Sequence, residues 1–289
     1  MNYALHLIVL FELYLILTLS LNIVVGYCGM LSLAHAAFFG VGAYLSTLAQ
    51  VGAGVPWLVA AAVGVSSAAL LSLLVALPSL RLRGDYFVLA SLGFQIIFST
   101  VLLNWIPVTR GPYGIADVPR PTLGGLAAQS TVSMLGICTM ALVATVICFR
   151  VLDRSPFGRA LRALREDEVA AVALGKDVYR LKTYALAIAS AFAGLAGVLY
   201  AGYMRFIDPS SFGMPESLFL VSMVVIGGAG NLRGPTIGTA LMLAIPEILR
   251  FLSVPDAQAA NIRQAMYGCL IVALMRIRPT GIAGEYRLR

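Results

Sequence analysis

Long, unbroken apolar runs dominate this chain and leave few folds open to it. Nine can be marked: Ala4–Val25, Leu31–Ala49, Pro56–Leu77, Tyr86–Ile106, Thr131–Leu152, Thr183–Tyr203, a shorter Ser217–Ile226, Thr236–Leu252 and Ile262–Ile277. A helix rises about 1.5 Å per residue, so about 20 apolar residues cross a bilayer core. Eight of the runs can span on that criterion. Ser217–Ile226 is too short and runs into Gly227-Gly228, so it is either half of a broken span or part of a longer segment starting near Phe212. A membrane β-barrel would show alternating segments of about ten residues instead. Charged residues make up only 11% of the 289, too few to coat a soluble domain or to keep a chain disordered. The expected fold is all-α: one polytopic transmembrane bundle over residues 1–289, of eight or nine spans, with broken or re-entrant Gly-rich segments.

In a membrane chain, basic residues report orientation rather than nucleic-acid binding. Of the 20 Lys and Arg, 15 fall in four connections: Arg81 and Arg83; the stretch Arg150–Lys182; Arg233; and Arg276, Arg278, Arg287 and Arg289. The other five are Arg110, Arg120, Arg205, Arg250 and Arg263. If Ser217–Ile226 crosses, the two groups alternate sides throughout. The positive-inside rule then gives nine crossings, with the N-terminus outside and the C-terminus inside. The first apolar run lacks a basic flank and exceeds the length of a signal-peptide core, so it reads as span one rather than a cleaved leader. Cys28, Cys138, Cys148 and Cys269 are scattered, with no CxxC spacing, and read as small apolar packing residues.

Chemistry is sparse. His6 and His35 are the only histidines, which excludes a multi-His metal site, and no GxSxG, HExxH or P-loop occurs. No bound cofactor and no enzymatic activity are expected. The densest polar region is GYCGMLSLAHAAFFGVGAY (Gly26–Tyr44), which brings Ser32, His35 and Tyr44 to membrane depth among four glycines. It reads either as a broken helix lining a translocation path or as small-residue packing between helices, and a buried ionisable His35 favours the former. Gln95 joins these as a polar residue inside a span. Glu12, Asn22, Asn104 and Glu247 read first as interhelical hydrogen-bond partners. A second Gly-rich stretch, VVIGGAGNLRGPTIG, contributes Gly227 and Gly228 as candidate cavity-edge positions, since irregular backbone at membrane depth needs protein or water to satisfy it. GYCGML (26–31) and GGAGNL (227–232) echo one another in spacing.

Two connections are long. Residues 107–130, assigned to the periplasm, are rich in Pro and Gly and expected to be irregular. Residues 153–182, assigned to the cytoplasm, look structured. Ser155-Pro156 is an N-cap followed by Pro at the first helical position, Arg159, Arg162 and Arg165 recur every third residue, and a second short helix Glu168–Leu174 closes at Gly175. Its small face, Ala170-Ala171…Ala173, suits docking into another protein's groove, with flanking charges setting register.

The motifs resemble those of LivM-type permeases of bacterial branched-chain amino-acid ABC importers along nearly the whole chain. Gly26–Tyr44 resembles the family's first Gly-rich motif, SPFGRALRALREDEVAAVALGKDVYRLK its cytoplasmic coupling segment, and FAGLAGVLYAGYMRFIDPSSFGMPESLFLVSMVVIGGAGNLRGPTIGTAL its C-terminal signature. The resemblance implies a permease of the inner membrane that pairs with a second, homologous LivH-like permease. Two ATP-binding cassette subunits would hydrolyse ATP, a periplasmic binding protein would deliver substrate, and transport would proceed by alternating access. It assigns ATPase coupling to Arg165, Glu168, Ala170, Ala171 and Gly175. The importer motif EAAxxxG is matched at Ala170, Ala171 and Gly175, with the acid one place early at Glu168 and Val169 in its position. Substrates of such permeases include branched-chain and other hydrophobic amino acids, urea or short amides, and aromatic acids. The reading from a different class is an ion-coupled secondary transporter, which needs midplane carboxylates; Glu12 and Glu247 are the acids the spans offer, both near span ends.

Overall fold

The computed structural model describes residues 2–79, 84–123, 126–127, 130–251, 266, 268–269, 276 and 280–284. The predicted span Ile262–Ile277 lies almost wholly outside the described residues, as do Arg81, Arg83, Arg263, Arg278, Arg287 and Arg289. Elsewhere the apolar runs are helices: α1 (Asn2–Asn22), extended by a π-helical turn at Ile23–Tyr27, then α2 (His35–Ala53), α3 (Trp57–Ser79) and α4 (Gly84–Asn104). After the short α5 (Ile106–Thr109) come α6 (Thr131–Arg154), α7 (Pro156–Glu166), α8 (Glu168–Ala173), α9 (Val178–Met204), α10 (Met214–Gly227) and α11 (Arg233–Phe251). Among the described residues, six helices are long and apolar enough to cross a membrane: α1, α2, α3, α4, α6 and α9. Their outward faces carry exposed Leu70, Leu74, Ile97, Met140 and Val151. Lipid tails solvate such residues, so their exposure costs nothing in a bilayer.

The centre is a seam of small residues. A Cβ on Gly42 would collide with the backbone of Gly194, and one on Gly197 with the Phe39 carbonyl oxygen. One on Gly64 would come within 2.7 Å of the Gly42 carbonyl oxygen. Glycine therefore lets α2, α3 and α9 approach backbone to backbone, which is how helices gain dispersion contacts where no hydrophobic force separates them from lipid.

Two segments depart from the sequence reading. The second apolar run starts at Leu31, but its helix starts at His35, leaving residues 28–34 non-helical. Helical geometry gives way where Gly29 takes φ +71° against Arg165. The 107–130 connection is more ordered than its Pro and Gly content suggests. It holds a 3₁₀ turn (Gly111–Tyr113) and short strands β1 (Ile115–Ala116), β2 (Thr122–Leu123) and β3 (Leu126–Ala127). β1 pairs antiparallel with β4 (Phe206–Ile207), Ile115 opposite Ile207. The pairing satisfies backbone groups of a connection held against buried Ile207.

α10 has only 14 residues, about 21 Å of helix. It begins at Met214, where Pro215 sits in its first turn, and a 3₁₀ turn at Pro209–Phe212 precedes it. Its far end meets the far end of α1: the Gly230 N–H donates to Asn22 Oδ1 at 3.0 Å and Asn22 Nδ2 donates to the Asn231 carbonyl at 2.8 Å. The echoing stretches 26–31 and 227–232 thus pack on each other, with Gly26 directly against Gly230 N. Gly42→Val should destabilise the bundle by about 2 kcal/mol or more through overpacking. Gly52→Val, where nothing lies within 4 Å of an added Cβ, should leave it unchanged; thermal unfolding in detergent checks both.

Candidate functional site

The start of α2 is buried inside the bundle. His35, Ala36 and Ala37 are all shielded from solvent, and the first N–H groups of a helix have no partner within it. Three side chains from other helices supply partners. Leu33 N–H donates to Ser91 Oγ at 3.0 Å, Ala36 N–H to Ser217 Oγ at 3.1 Å, and Ala37 N–H, which also bonds the Ala34 carbonyl at 3.1 Å, to Gln95 Oε1 at 2.9 Å. Gln95 turns its amide the other way, donating to the Phe212 carbonyl at 2.8 Å. One side chain thus ties α4 to both the broken start of α2 and the turn before α10. Gln95 lies eleven residues into α4, roughly 16 Å along its axis, so this junction sits well inside the bundle.

Ser32, His35 and Gln95 lie at that junction, and Tyr44 sits further along α2. His35 Nε2 meets Ser20 Oγ at 2.7 Å and its ring packs edge-on against Phe38. Ser32 Oγ accepts from the Ala34 N–H at 3.4 Å. Tyr44 packs edge-on against Phe212, which also meets Phe39 and Tyr200. Gly227 and Gly228 sit elsewhere, at the end of α10. There Ile282 and Ala283 N–H donate to the carbonyls of Ile226 and Gly227 at 3.0 and 2.9 Å, and Gly228 takes φ +102° against Gly284.

The 153–182 connection folds as two capped helices. Ser155 Oγ accepts from Gly158 N–H at 3.0 Å to start α7; Asp167 accepts from Val169 and Ala170 N–H to start α8; Gly175 closes it at φ +75°. α7 buries Leu161 and Leu164. Arg165 points inward, donating to the Gly26 carbonyl at 2.6 Å and pairing with Glu166 at 2.7 Å. It bolts α7 to the end of the first span. Arg162 pairs with Asp153, which also accepts from Tyr27, and Lys182 pairs with Glu168 at 2.9 Å. Ala171 is buried, whereas Ala170 is exposed beside Val169, Val172 and Leu174. The outward surface of α8 is therefore aliphatic and larger than the alanines alone suggest.

A cavity of about 1080 Å³ opens between α1, α9, α10 and α11. Leu10, Phe11, Phe219, Leu243 and Pro246 give it apolar walls; Tyr14, Tyr200, Glu216 and Glu247 give it polar groups. Tyr3 donates to Glu247, and Tyr14 hydrogen-bonds Glu216. Sequence reasoning missed Glu216: Pro215 beside it reads as loop, and no spacing marks it as facing inward. Ser91 and Ser217 were missed for the same reason, being ordinary serines until their helices are packed. At the bundle end before α10, burial would raise the Asp208 pKa, but hydrogen bonds from Ser210 and Ser211 outweigh it and hold the carboxyl below its usual range.

A bundle of apolar helices with broken elements inside it, a wide cavity among them and a bolted helix pair at one end defines a membrane transport permease. The chain belongs to the branched-chain amino acid transport system / permease component family, matched over residues 3–275. It is 35% identical to the high-affinity branched-chain amino acid transport system permease protein LivM of Escherichia coli (strain K12), over 93% of this chain and 67% of that protein. It is 27% identical to the probable branched-chain amino acid transport permease protein LivM of Methanocaldococcus jannaschii, over 72% of this chain and 63% of that one. With the permease protein LivH of Escherichia coli (strain K12) it shares 27% identity, over 94% and 91% of the two chains. No solved structure matches significantly.

Gln95→Leu should destabilise the protein by about 2–3 kcal/mol, because it strips partners from buried backbone groups. Asn104→Leu should be near neutral, since the exposed Asn104 bonds only its own helix at the Thr100 carbonyl. Denaturant or thermal melts of the two variants separate the cases.

Proposed function

We propose that the chain is the permease subunit of an ATP-driven importer for branched-chain or other hydrophobic amino acids. It pairs with a homologous LivH-like permease and two ATP-binding cassette subunits, and receives cargo from a periplasmic binding protein. The observation that carries this reading is the exposed aliphatic face of α8, Val169, Val172 and Leu174, on a helix pair fastened to the first span through Arg165 and the Gly26 carbonyl. Exposed aliphatic residues outside the apolar spans need a partner, and a helix docked in a partner's groove is a means of passing its motion on. The basic connections support a cytoplasmic position for that end by the positive-inside rule, with the N-terminus in the periplasm. Likeness to both LivM and LivH relatives supports a pair of related permeases. ATP would be spent by the partner subunits, this chain binding no cofactor.

Loaded binding protein would dock on the end formed by the 107–130 connection. Closure of the ATPase pair would pull on α8, and Arg165 would carry that pull to residues 26–34 and the start of α2. A stand-alone ion-coupled carrier would need a carboxylate free to take the ion, whereas Glu12 is bonded to Thr139, Glu216 to Tyr14 and Glu247 to Tyr3. It leaves the aliphatic face of α8 without a use.

Val172→Asp with Leu174→Asp should cut recovery of the ATPase with tagged permease at least tenfold in gentle detergent. The second permease should still co-purify. Ala171→Asp should instead lower the amount of folded protein, because Ala171 is buried. Full ATPase recovery in the double variant contradicts the docking role.

A further inference from the structure

In the importer motif EAAxxxG the acid stands where this chain has Val169, and the chain's own acid, Glu168, comes one place earlier. The structure gives that shift a physical meaning. Successive residues of a helix point about 100° apart, and position 169 faces outward: Val169 is 78% exposed, on the same side as exposed Val172. At position 168 the side chain turns back toward the spans. Both carboxylate oxygens of Glu168 accept from Lys182 Nζ at 2.9 Å. Lys182 is the fifth residue of α9, and its side chain is only 10% exposed. Among the described residues no other acid pairs with it. A buried charge left without its partner is strongly destabilising, so the Lys182 ammonium depends on that carboxylate.

We propose that Glu168 is a positioning residue that acts inward, fastening α8 to α9 through Lys182 rather than contacting the ATPase. The inference rests on the importer reading above and says how the docked helix moves the spans. α8 has six residues, too few to hold a helix by themselves, so its orientation is set from outside. The Asp167 cap lies within the same connection; the pair with Lys182 ties α8 to a span. From there α9 runs on as one helix of 27 residues. Roughly 18 Å along it, Gly194 and Gly197 meet the backbone of α2 at Gly42 and Phe39. A shift of α8 would thus enter the small-residue seam along a rigid element, in parallel with the path through Arg165 to the Gly26 carbonyl. Cys28, the first residue of the non-helical stretch, lies within electrostatic reach of both charges, so the two attachments are neighbours. A first-turn acid also suits the helix dipole, but that interaction needs no lysine and survives Lys182→Met. The outward surface of α8 is left to aliphatic residues, so contact with the ATPase is apolar and the charge works within the chain.

The test uses the assembled importer in proteoliposomes and reads leucine uptake per ATP hydrolysed, together with the ATPase recovered on tagged permease. Glu168→Gln and Lys182→Met should each lower uptake per ATP at least fivefold with ATPase recovery unchanged. The double variant, which leaves no buried charge unpaired, should do no worse than Lys182→Met alone. Reversing the pair, Glu168→Lys with Lys182→Glu, should recover part of the loss. A tenfold fall in ATPase recovery with Glu168→Gln overturns the proposal in favour of an ATPase contact. Losses that multiply in the double variant overturn it too. So does less assembled transporter with uptake per ATP unchanged in both single variants, the mark of a merely structural pair. Uptake by the wild-type chain without companions would defeat the importer reading. Hydrogen exchange of the Ala171 and Leu174 amides in the chain alone would still decide whether the pair holds α8: it should quicken at least fivefold in Glu168→Gln and Lys182→Met alike, and unchanged exchange overturns the proposal.

Discussion

Everything distinctive in this structure follows from a helix that begins where no water can reach. The first N–H groups of α2 lie inside the bundle, and each unsatisfied polar group there costs several kcal/mol in an apolar medium. The protein meets that cost with side chains from elsewhere: Ser91 and Gln95 on α4, and Ser217 on α10. A chain could have run a straight helix through this region and needed none of them. The broken start therefore couples three elements that would otherwise meet only through apolar contact, and the hydrogen bonds give the contact a defined geometry that dispersion alone would not.

One route from that junction to the far end of the molecule runs through the non-helical segment before α2. Residues 28–34 descend from the end of the first span, where Arg165 grips the Gly26 carbonyl and lies against Gly29. A displacement of α7 and α8 would reach the backbone that leads into α2 through this bond. Beside it, Asn22 clasps Gly230 and Asn231, and residues 282–283 pair with the last carbonyls of α10. α1 and α10 are held at one end by these polar bonds and meet again beside the cavity, where Tyr14 packs edge-on against Phe219 and bonds Glu216.

Much of the architecture was legible in the sequence because membrane helices are written in unbroken apolar runs. The helix pair after α6 was legible too: Ser155-Pro156 and Gly175 are local signals whose physics does not depend on packing. What could not be read was which face each element turns. Arg165 looks like one of three equivalent surface arginines, yet it is the inward one, because Leu161 and Leu164 orient α7 that way. Ala170 and Ala171 look like a matched pair, yet one is exposed and the other buried. Ser32, His35, Tyr44 and Gln95 stand out as polar residues in apolar runs, and none of them is among the residues lining the cavity: Ser32, His35 and Gln95 lie at the start of α2, and Tyr44 packs against Phe212. Glu216, hidden behind a proline that reads as loop, lines the cavity instead. Periodicity fixes an element but not its partner, and the partners at the start of α2 are 58 to 181 residues apart.

The central claim is that the start of α2 is a hydrogen-bonded junction driven from the α7–α8 end. Hydrogen exchange over residues 28–38 in the assembled transporter tests it most directly, with and without ATP. The account predicts slow exchange of the Ala36 and Ala37 amides at rest and a marked acceleration when ATP is bound, with the α3 core unchanged. Rapid exchange of those amides at rest, or slow exchange that ATP does not alter, would contradict it.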